Sequence, residues 1–313
     1  MKRGASKLST TQPVTLRVGL FALLISFFWS GNIVAIKFGL ATIPPFWSAF
    51  WRMAVAAVAV ALWAGLRSQP VLLERGQWSN MLRLTAIFTA QIAIFNMGVS
   101  FTSPAYAVIL LNGNPVMVNL ISHFFVADDR LTWRRVFGLA IAFFGIAYVV
   151  FGRPDAELAS NPLLGNFLML ISALLLAIRI VYTQQLVQGM DPLRPVIWQM
   201  VLSLPIFLFL AVTFEVPLLQ PLSYEPVLAI AYQAVVVAGF CFVAWTTLLR
   251  KYSAGNLAMY SFSVPIFGVV LAALIFGEAI SGRLIFGAAA VAIGISIVTR
   301  SKRGEIEADG ARA

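Results

Sequence analysis

The chain has 313 residues, of which 60% are apolar and only 11% are charged, whereas soluble domains carry about 25% charged residues. This composition excludes a soluble globular protein, and the 25 phenylalanines and 8 tryptophans exclude a disordered chain, which cannot bury enough apolar surface to fold. The net charge of +10 comes from basic residues beside apolar segments, so we do not expect nucleic acid as a partner.

Apolar segments follow one another along the chain, each close to the roughly 20 residues that a helix needs to cross about 30 Å of hydrocarbon. They are residues 18–38, 46–66, 83–101, 104–126, 135–152, 163–187, 195–214, 226–249, 255–276 and 283–299. The stretches between them are shorter than the about 50 residues of a small domain, so the function must lie within the spans. The sequence therefore predicts an all-α polytopic membrane protein with ten transmembrane helices.

Lysine and arginine are distributed unequally between the two sides of these spans. Of the 22 basic residues, 17 fall on the side of both termini, and only Arg153 and Arg283 fall on the other side. Basic residues accumulate on the cytoplasmic side of membrane proteins. The pattern therefore predicts that both termini are cytoplasmic.

The two halves of the chain resemble each other. Residues 19–53 can be aligned with 165–200, and residues 103–128 with 253–278. The matches bring together Ser26 with Ser172, Trp51-Arg52-Met53 with Trp198-Gln199-Met200, and Pro115 with Pro265. Each half holds five spans, an odd number, so the second half would enter the membrane from the opposite side. We predict two inverted five-helix repeats, 18–152 and 163–299, between cytoplasmic tails 1–17 and 300–313.

Three stretches carry a family resemblance. The segment WSGNIVAIKFGLATIPPFWSAFWRM, residues 29–53, resembles the first two spans of EamA-type members of the drug/metabolite transporter superfamily. The segments that begin at Ser103 and Ser253 resemble later spans of the family, including an internal proline and the Gly277-Glu278 pair. The resemblance implies ten helices around a central cavity, transport of small metabolites by alternating access, and a location in the bacterial inner (plasma) membrane. It implies no enzyme activity and no cofactor.

Polar and aromatic side chains within the spans are the candidate substrate contacts. Arg179 is the candidate for anion recognition, because no Asp or Glu lies near a membrane centre; a backbone carbonyl or a loop acid is the alternative partner. Lys37 and Arg52 lie nearer to span ends, where we expect them to extend to the interface. The predicted substrate contacts are Trp29, Asn32, Asn112, Tyr182, Trp245, Tyr260 and Arg179.

Two further patterns concern the helices themselves. Pro115 and Pro265 each remove a helical hydrogen bond at equivalent positions, which predicts a gating hinge, or alternatively a passive kink. Small residues predict close contacts of the last helix in each half, and these helices could also provide a homodimer face. These residues are Gly138, Ala142, Gly145, Gly287, Ala290 and Gly294.

The leading interpretation is an exporter of small amphipathic metabolites, with amino acids as the first candidates. Its partners would be the small-molecule substrate and the lipid bilayer. Alternatives are a transporter of another metabolite or drug, a channel, or an intramembrane lipid-modifying enzyme that uses His123 or Asp128. One histidine and one cysteine are too few for a metal site. We assign no catalytic residue, metal or cofactor.

Overall fold

The computed structural model describes residues 15–125, 132–152, 157–216, 223–252, 260 and 263–310, and the regular elements in these ranges are all helical. They are α1 (Leu16–Gly39), α2 (Pro45–Leu66), α3 (Trp78–Phe101), α4 (Pro104–Leu111), α5 (Asn114–Phe125), α6 (Trp133–Val150), α7 (Pro162–Leu186), α8 (Leu193–Phe214), α9 (Tyr224–Ala231), α10 (Phe242–Lys251), α11 (Ser263–Phe276) and α12 (Gly282–Gly310). A short 3-10 helix, Arg75–Gln77, precedes α3, and a π-helical stretch, Tyr232–Cys241, joins α9 to α10.

Six helical segments in the described ranges are long and apolar enough to cross a membrane. They are Leu16–Gly39, Pro45–Leu66, Arg75–Phe101, Pro162–Leu186, Leu193–Phe214 and Tyr224–Leu248. Many large apolar side chains point away from the bundle, among them Leu62, Phe144 and Phe209. An exposed apolar surface of this extent is suited to lipid and unsuited to water. The chain is an all-helical polytopic membrane protein.

The fourth predicted span is interrupted in its middle. Where the sequence predicted one span over 104–126, the described residues form α4 and α5, with the break at Asn112 and Gly113. Pro115 has no N–H to donate to the carbonyl of Leu111, and the side-chain amide of Asn114 donates to that carbonyl instead, at 3.0 Å. The sequence predicted a bend at this proline within one continuous span, and the structure has two helices there.

The two ends of the bundle are held by different polar contacts. At the first, which we call the Lys37 end, Lys37 Nζ donates to the carbonyls of Val99, Ser100 and Thr102. This is the C-terminus of α3, where a cation is favourable. At the opposite Arg194 end, Arg194 forms a salt bridge with Glu74 at 2.7 Å.

The equivalent helices α1 and α7 run in opposite directions. Lys37, near the end of α1, contacts the end of α3 through the carbonyl of Thr102. The hydroxyl of the same Thr102 donates to Asn166, near the start of α7, at 2.7 Å. The last turn of α1 and the first turn of α7 therefore lie at the same end of the bundle.

The sequence predicts close helix contacts for the small residues of α6 and α12, and in the structure these two helices contact each other. A Cβ atom added at Gly138 would lie 2.8 Å from the carbonyl oxygen of Gly294, and one added at Gly145 would lie 2.6 Å from Cβ of Ala290. These backbones approach so closely because neither glycine has a side chain. The small residues thus pack α6 against α12 within one chain.

Glu215 links the end of α8 to the start of α2. Its two carboxylate oxygens accept hydrogen bonds from the backbone N–H groups of Phe46 and Trp47, at 2.7 and 2.9 Å. Burial raises the pKa of Glu215 above its ordinary value of 4.5, and the two backbone hydrogen bonds oppose this rise. The folded chain therefore binds this proton more tightly than the unfolded chain does.

We expect the contribution of Glu215 to stability to be complete below pH 4.5 and to fall as the pH rises through the raised pKa. The melting temperature of the detergent-purified protein should be measured between about pH 4 and pH 7 for the wild type and Glu215→Gln. Because the two proteins share all other titratable groups, the difference between their melting curves against pH gives the contribution of Glu215. Parallel curves would contradict the prediction.

Candidate functional site

A cavity of about 210 Å³ lies inside the bundle, and both halves of the chain line it. Its wall is made by α1, α2, α3, the end of α4, the break that follows it, α5, α7, α8, α10 and α11, together with the π-helical stretch. The polar side chains in the wall are Asn32, Arg52, Gln91, Asn112, Asn114, Arg179, Thr183, Gln199 and Thr246. Among the residues that the structure describes, none of the lining side chains is acidic.

Several of the residues singled out in the sequence meet in this cavity. Trp29 and Trp245 face each other edge to face, with ring centroids 4.8 Å apart. Asn32, Asn112 and Pro115 also line the wall. The amide of Asn112 donates to the carbonyl of Val108 at 2.8 Å, whereas the Asn32 side-chain oxygen has no hydrogen-bond partner in the described part of the chain.

Three other predicted residues do not line the cavity. Tyr182 lies towards the Arg194 end, where its hydroxyl donates to the side-chain oxygen of Asn80 at 3.2 Å. The ring of Tyr260 covers Gly19 near the start of α1. Pro265 is buried in α11 next to Val264, which does line the wall. The neighbouring residue Thr183 does line the wall, so Tyr182 is excluded by direction and not by depth: its side chain leaves α7 about 100° away from that of Thr183.

Arg179 extends from α7 into the cavity and lies near two aromatic rings. Its guanidinium carbon lies 5.2 Å from the ring centre of Phe88 and 5.4 Å from that of Phe242. These distances allow cation–π attraction to both rings. Its Nη1 group has no hydrogen-bond partner in the described residues. The rings hold the cation in place and leave an N–H group for a ligand.

Arg52 is a site residue that the sequence analysis missed. We predicted that it would extend to the membrane interface, but it is only 1% exposed and lines the cavity from α2. Its Nε and Nη1 groups have no hydrogen-bond partner among the described residues. A signal was present in the duplication, because Arg52 aligns with Gln199, which lines the cavity from α8.

Gln91 is a second lining residue that the sequence analysis did not consider. It projects from α3, and its Nε2 group donates to the hydroxyl of Ser172 on α7 at 3.1 Å. Its side-chain oxygen has no partner within the described ranges. An uncharged polar residue in the middle of an apolar span was the signal that could have identified it.

The wall therefore combines three kinds of surface. It offers two guanidinium groups, several side-chain amides and an aromatic pair. Such a wall can bind an amphipathic solute whose polar part is held by hydrogen bonds and whose apolar part contacts the rings. The His123 side chain and Asp128, the groups considered for catalysis, lie outside the described residues.

Comparisons with known proteins agree with this architecture. The profile of the EamA-like transporter family matches residues 16–151 and 163–300. An uncharacterized transporter of Bacillus subtilis, YoaV, is 22% identical over 91% of this chain and 97% of its own length. A probable amino-acid metabolite efflux pump of Escherichia coli is 25% identical over 89% of this chain and 93% of its own length.

The fold also has a solved counterpart. One crystal structure superposes with a TM-score of 0.68 at 16% identity, and the match covers 91% of this chain and 96% of the other. At this identity, the similarity shows a common fold.

Proposed function

We propose a function for this chain from one premise, which is that it belongs to the EamA-like transporter family. Membership makes it a membrane transporter. In our proposal it exports small amphipathic metabolites, with amino acids and their metabolites as the first candidates. The single observation that carries this proposal is a cavity in the bundle whose wall combines cationic, amide and aromatic side chains. The name of the E. coli relative, an efflux pump for amino-acid metabolites, supports the choice of candidates.

Alternating access between two inverted five-helix repeats is the proposed mechanism. Equivalent positions of the two halves line the same cavity: Arg52 with Gln199, and Asn114 with Val264. The opposite directions of α1 and α7 support the inverted arrangement. A site between two such repeats can open to either face when one repeat tilts against the other. We further propose that the chain crosses the bacterial plasma membrane ten times with both termini in the cytoplasm.

A hinge between α4 and α5 is part of this proposal. The break at Asn112 and Gly113 borders the cavity, and Pro115 lines it. Main-chain groups that lack a helical partner within a membrane need another partner, such as the Asn114 amide at the carbonyl of Leu111. Pro265 would act as the matching hinge in the second half.

Transport by the purified protein in proteoliposomes tests the function. We expect saturable uptake of at least one amino acid or amino-acid metabolite, whereas a channel would give flux that does not saturate. Flux at the level of protein-free vesicles for every compound tried would contradict the proposal.

We expect Trp245→Ala to lower kcat/KM by about tenfold, because it removes half of the aromatic pair that would contact the solute. Trp133→Ala is the matched control, since Trp133 is 87% exposed at the start of α6 and lies outside the cavity wall. Initial uptake rates at several substrate concentrations measure both variants. An equal loss in the two would show that the pair is not a substrate contact.

A further inference from the structure

We infer that the cavity selects carboxylate anions that carry a neutral O–H or N–H donor, such as 2-hydroxy acids and N-acyl amino acids, over zwitterionic amino acids. This inference rests on the proposed function and names the substrate class of the same cavity. It follows from the charge and the hydrogen-bonding capacity of the wall.

Two arginines in the cavity wall can bind a carboxylate. Arg52 and Arg179 face the cavity from α2 and α7, and their like charges repel each other. Three of their N–H-bearing nitrogens have no partner in the described part of the chain: Nε and Nη1 of Arg52, and Nη1 of Arg179. A guanidinium group binds a carboxylate through two parallel hydrogen bonds. A carboxylate between them would use these groups and offset the repulsion.

The described wall offers no negative charge to a substrate ammonium group. The described lining side chains include no Asp or Glu that could pair with an ammonium group. Glu278, the buried acid of the described residues, is at the Lys37 end and accepts hydrogen bonds from Ser103 and Ala105 there. An ammonium group would enter a cavity that already holds two cations, which is unfavourable where little water screens the charges.

Unpartnered amide oxygens in the wall can accept a hydrogen bond from a neutral donor on the substrate. Asn32 Oδ1, Gln91 Oε1 and Gln199 Oε1 line the cavity and have no hydrogen-bond donor among the described residues. These neutral acceptors suit the hydroxyl of a 2-hydroxy acid or the amide N–H of an N-acyl amino acid. They bind such a donor without requiring a second charge on the substrate.

The experiment compares substrates that differ in one group. Full-length protein in proteoliposomes is assayed for uptake of phenyllactate against phenylalanine, and of 4-methyl-2-hydroxypentanoate against leucine. Each pair keeps the side chain and exchanges a hydroxyl for an ammonium group. We expect the KM of the hydroxy acid to be at least about tenfold lower than that of the amino acid.

Two variants connect this preference to the arginines. Arg52→Gln and Arg179→Gln should each raise the KM of the hydroxy acid by about 30-fold or more. Each should also reduce the ratio between the KM of the amino acid and that of the hydroxy acid. Glutamine occupies the equivalent position 199, so it suits the environment of residue 52. Arg283→Gln is the matched control, because Arg283 lies outside the cavity wall and donates to the carbonyl of Tyr148. It should leave both KM values unchanged.

A binding measurement on the wild-type protein tests the inference even where the variants fold poorly. Phenyllactate should raise the melting temperature of the wild-type protein in detergent more than phenylalanine does at equal concentration. Uptake of both compounds with equal KM, or with a lower KM for the amino acid, overturns the inference and leaves the proposed function intact. If none of the four compounds, nor any other hydroxy acid or amino acid tried, is taken up, the inference and the proposed function are both overturned.

Discussion

Glu278→Ala is expected to lower the free energy of unfolding by about 3 kcal/mol, which is among the largest effects of any single polar substitution in this chain. Glu278 is only 4% exposed, and its carboxylate accepts hydrogen bonds from the Ser103 hydroxyl and from the N–H of Ala105, at the start of α4. Alanine would leave these buried donors without that acceptor.

The charge of Glu278 adds to this effect. Its carboxylate lies within electrostatic range of Lys37, whose ammonium group is bound to the carbonyls at the end of α3. Removal of the acid leaves a half-buried cation with less compensation. Glu278→Gln should cost less, because it keeps an oxygen acceptor at nearly the same position and loses only the charge.

Thermal and denaturant unfolding of the detergent-purified variants measure this prediction. Glu74→Ala is the matched control, because it removes a carboxylate that is 70% exposed from the salt bridge with Arg194. Exposed ion pairs contribute less than about 1 kcal/mol. If the two variants were equally stable, Glu278 would not have the structural role that its contacts indicate.

Gly165→Val is expected to cause the second large loss of stability, about 3 kcal/mol or a failure to fold. A Cβ atom at this position in α7 would lie 2.7 Å from the backbone nitrogen of Thr102 and 2.8 Å from the backbone carbon of Phe101. Because the obstructing atoms belong to a backbone, no side-chain rotation can relieve the overlap, and the helices must separate.

Gly65→Ala provides the control for this substitution. Gly65 lies in α2, and a Cβ atom there would meet nothing within 4 Å. Alanine should therefore be neutral or stabilise α2 by about 0.5 to 1 kcal/mol, through its higher helix propensity. Melting temperatures of Gly165→Ala, Gly165→Val and Gly65→Ala should follow the order of the predicted overlaps. A Gly165→Val protein as stable as the wild type would contradict the close approach of α7 to the end of α3.

The Gly277-Glu278 pair illustrates how far a motif can be interpreted. In the sequence, the pair is recognisable only as part of the family resemblance. Gly277 has a φ of +64°, a left-handed conformation that favours glycine and that ends many helices. The turn lets the chain leave α11 and present Glu278 to the start of α4. The sequence contained both residues, but their partner Ser103 is 175 residues away.

The arginines show where sequence reasoning failed. Arg52 was expected at the interface because it lies near the outer end of the predicted span 46–66. A position along a helix gives depth in the membrane, but the direction of the side chain depends on which neighbouring helices pack on that face. Arg179 was identified as a candidate anion site because its depth made lipid exposure costly and no Asp or Glu lies near a membrane centre to pair with it. The sequence shows how deep a residue lies in the membrane, but it does not show which neighbouring helix its side chain faces.

The sequence by itself determined the membrane class, the positions of most helices and the small-residue faces of α6 and α12. These features follow from local rules, since apolar length, helix breaks and small residues act within a few turns of one helix. Only the tertiary structure decided that Arg52 and Gln91 join the cavity, while Tyr182 and Tyr260 lie elsewhere. The rotation of each helix is set by contacts with helices far away in the chain, and these contacts select which polar side chains meet.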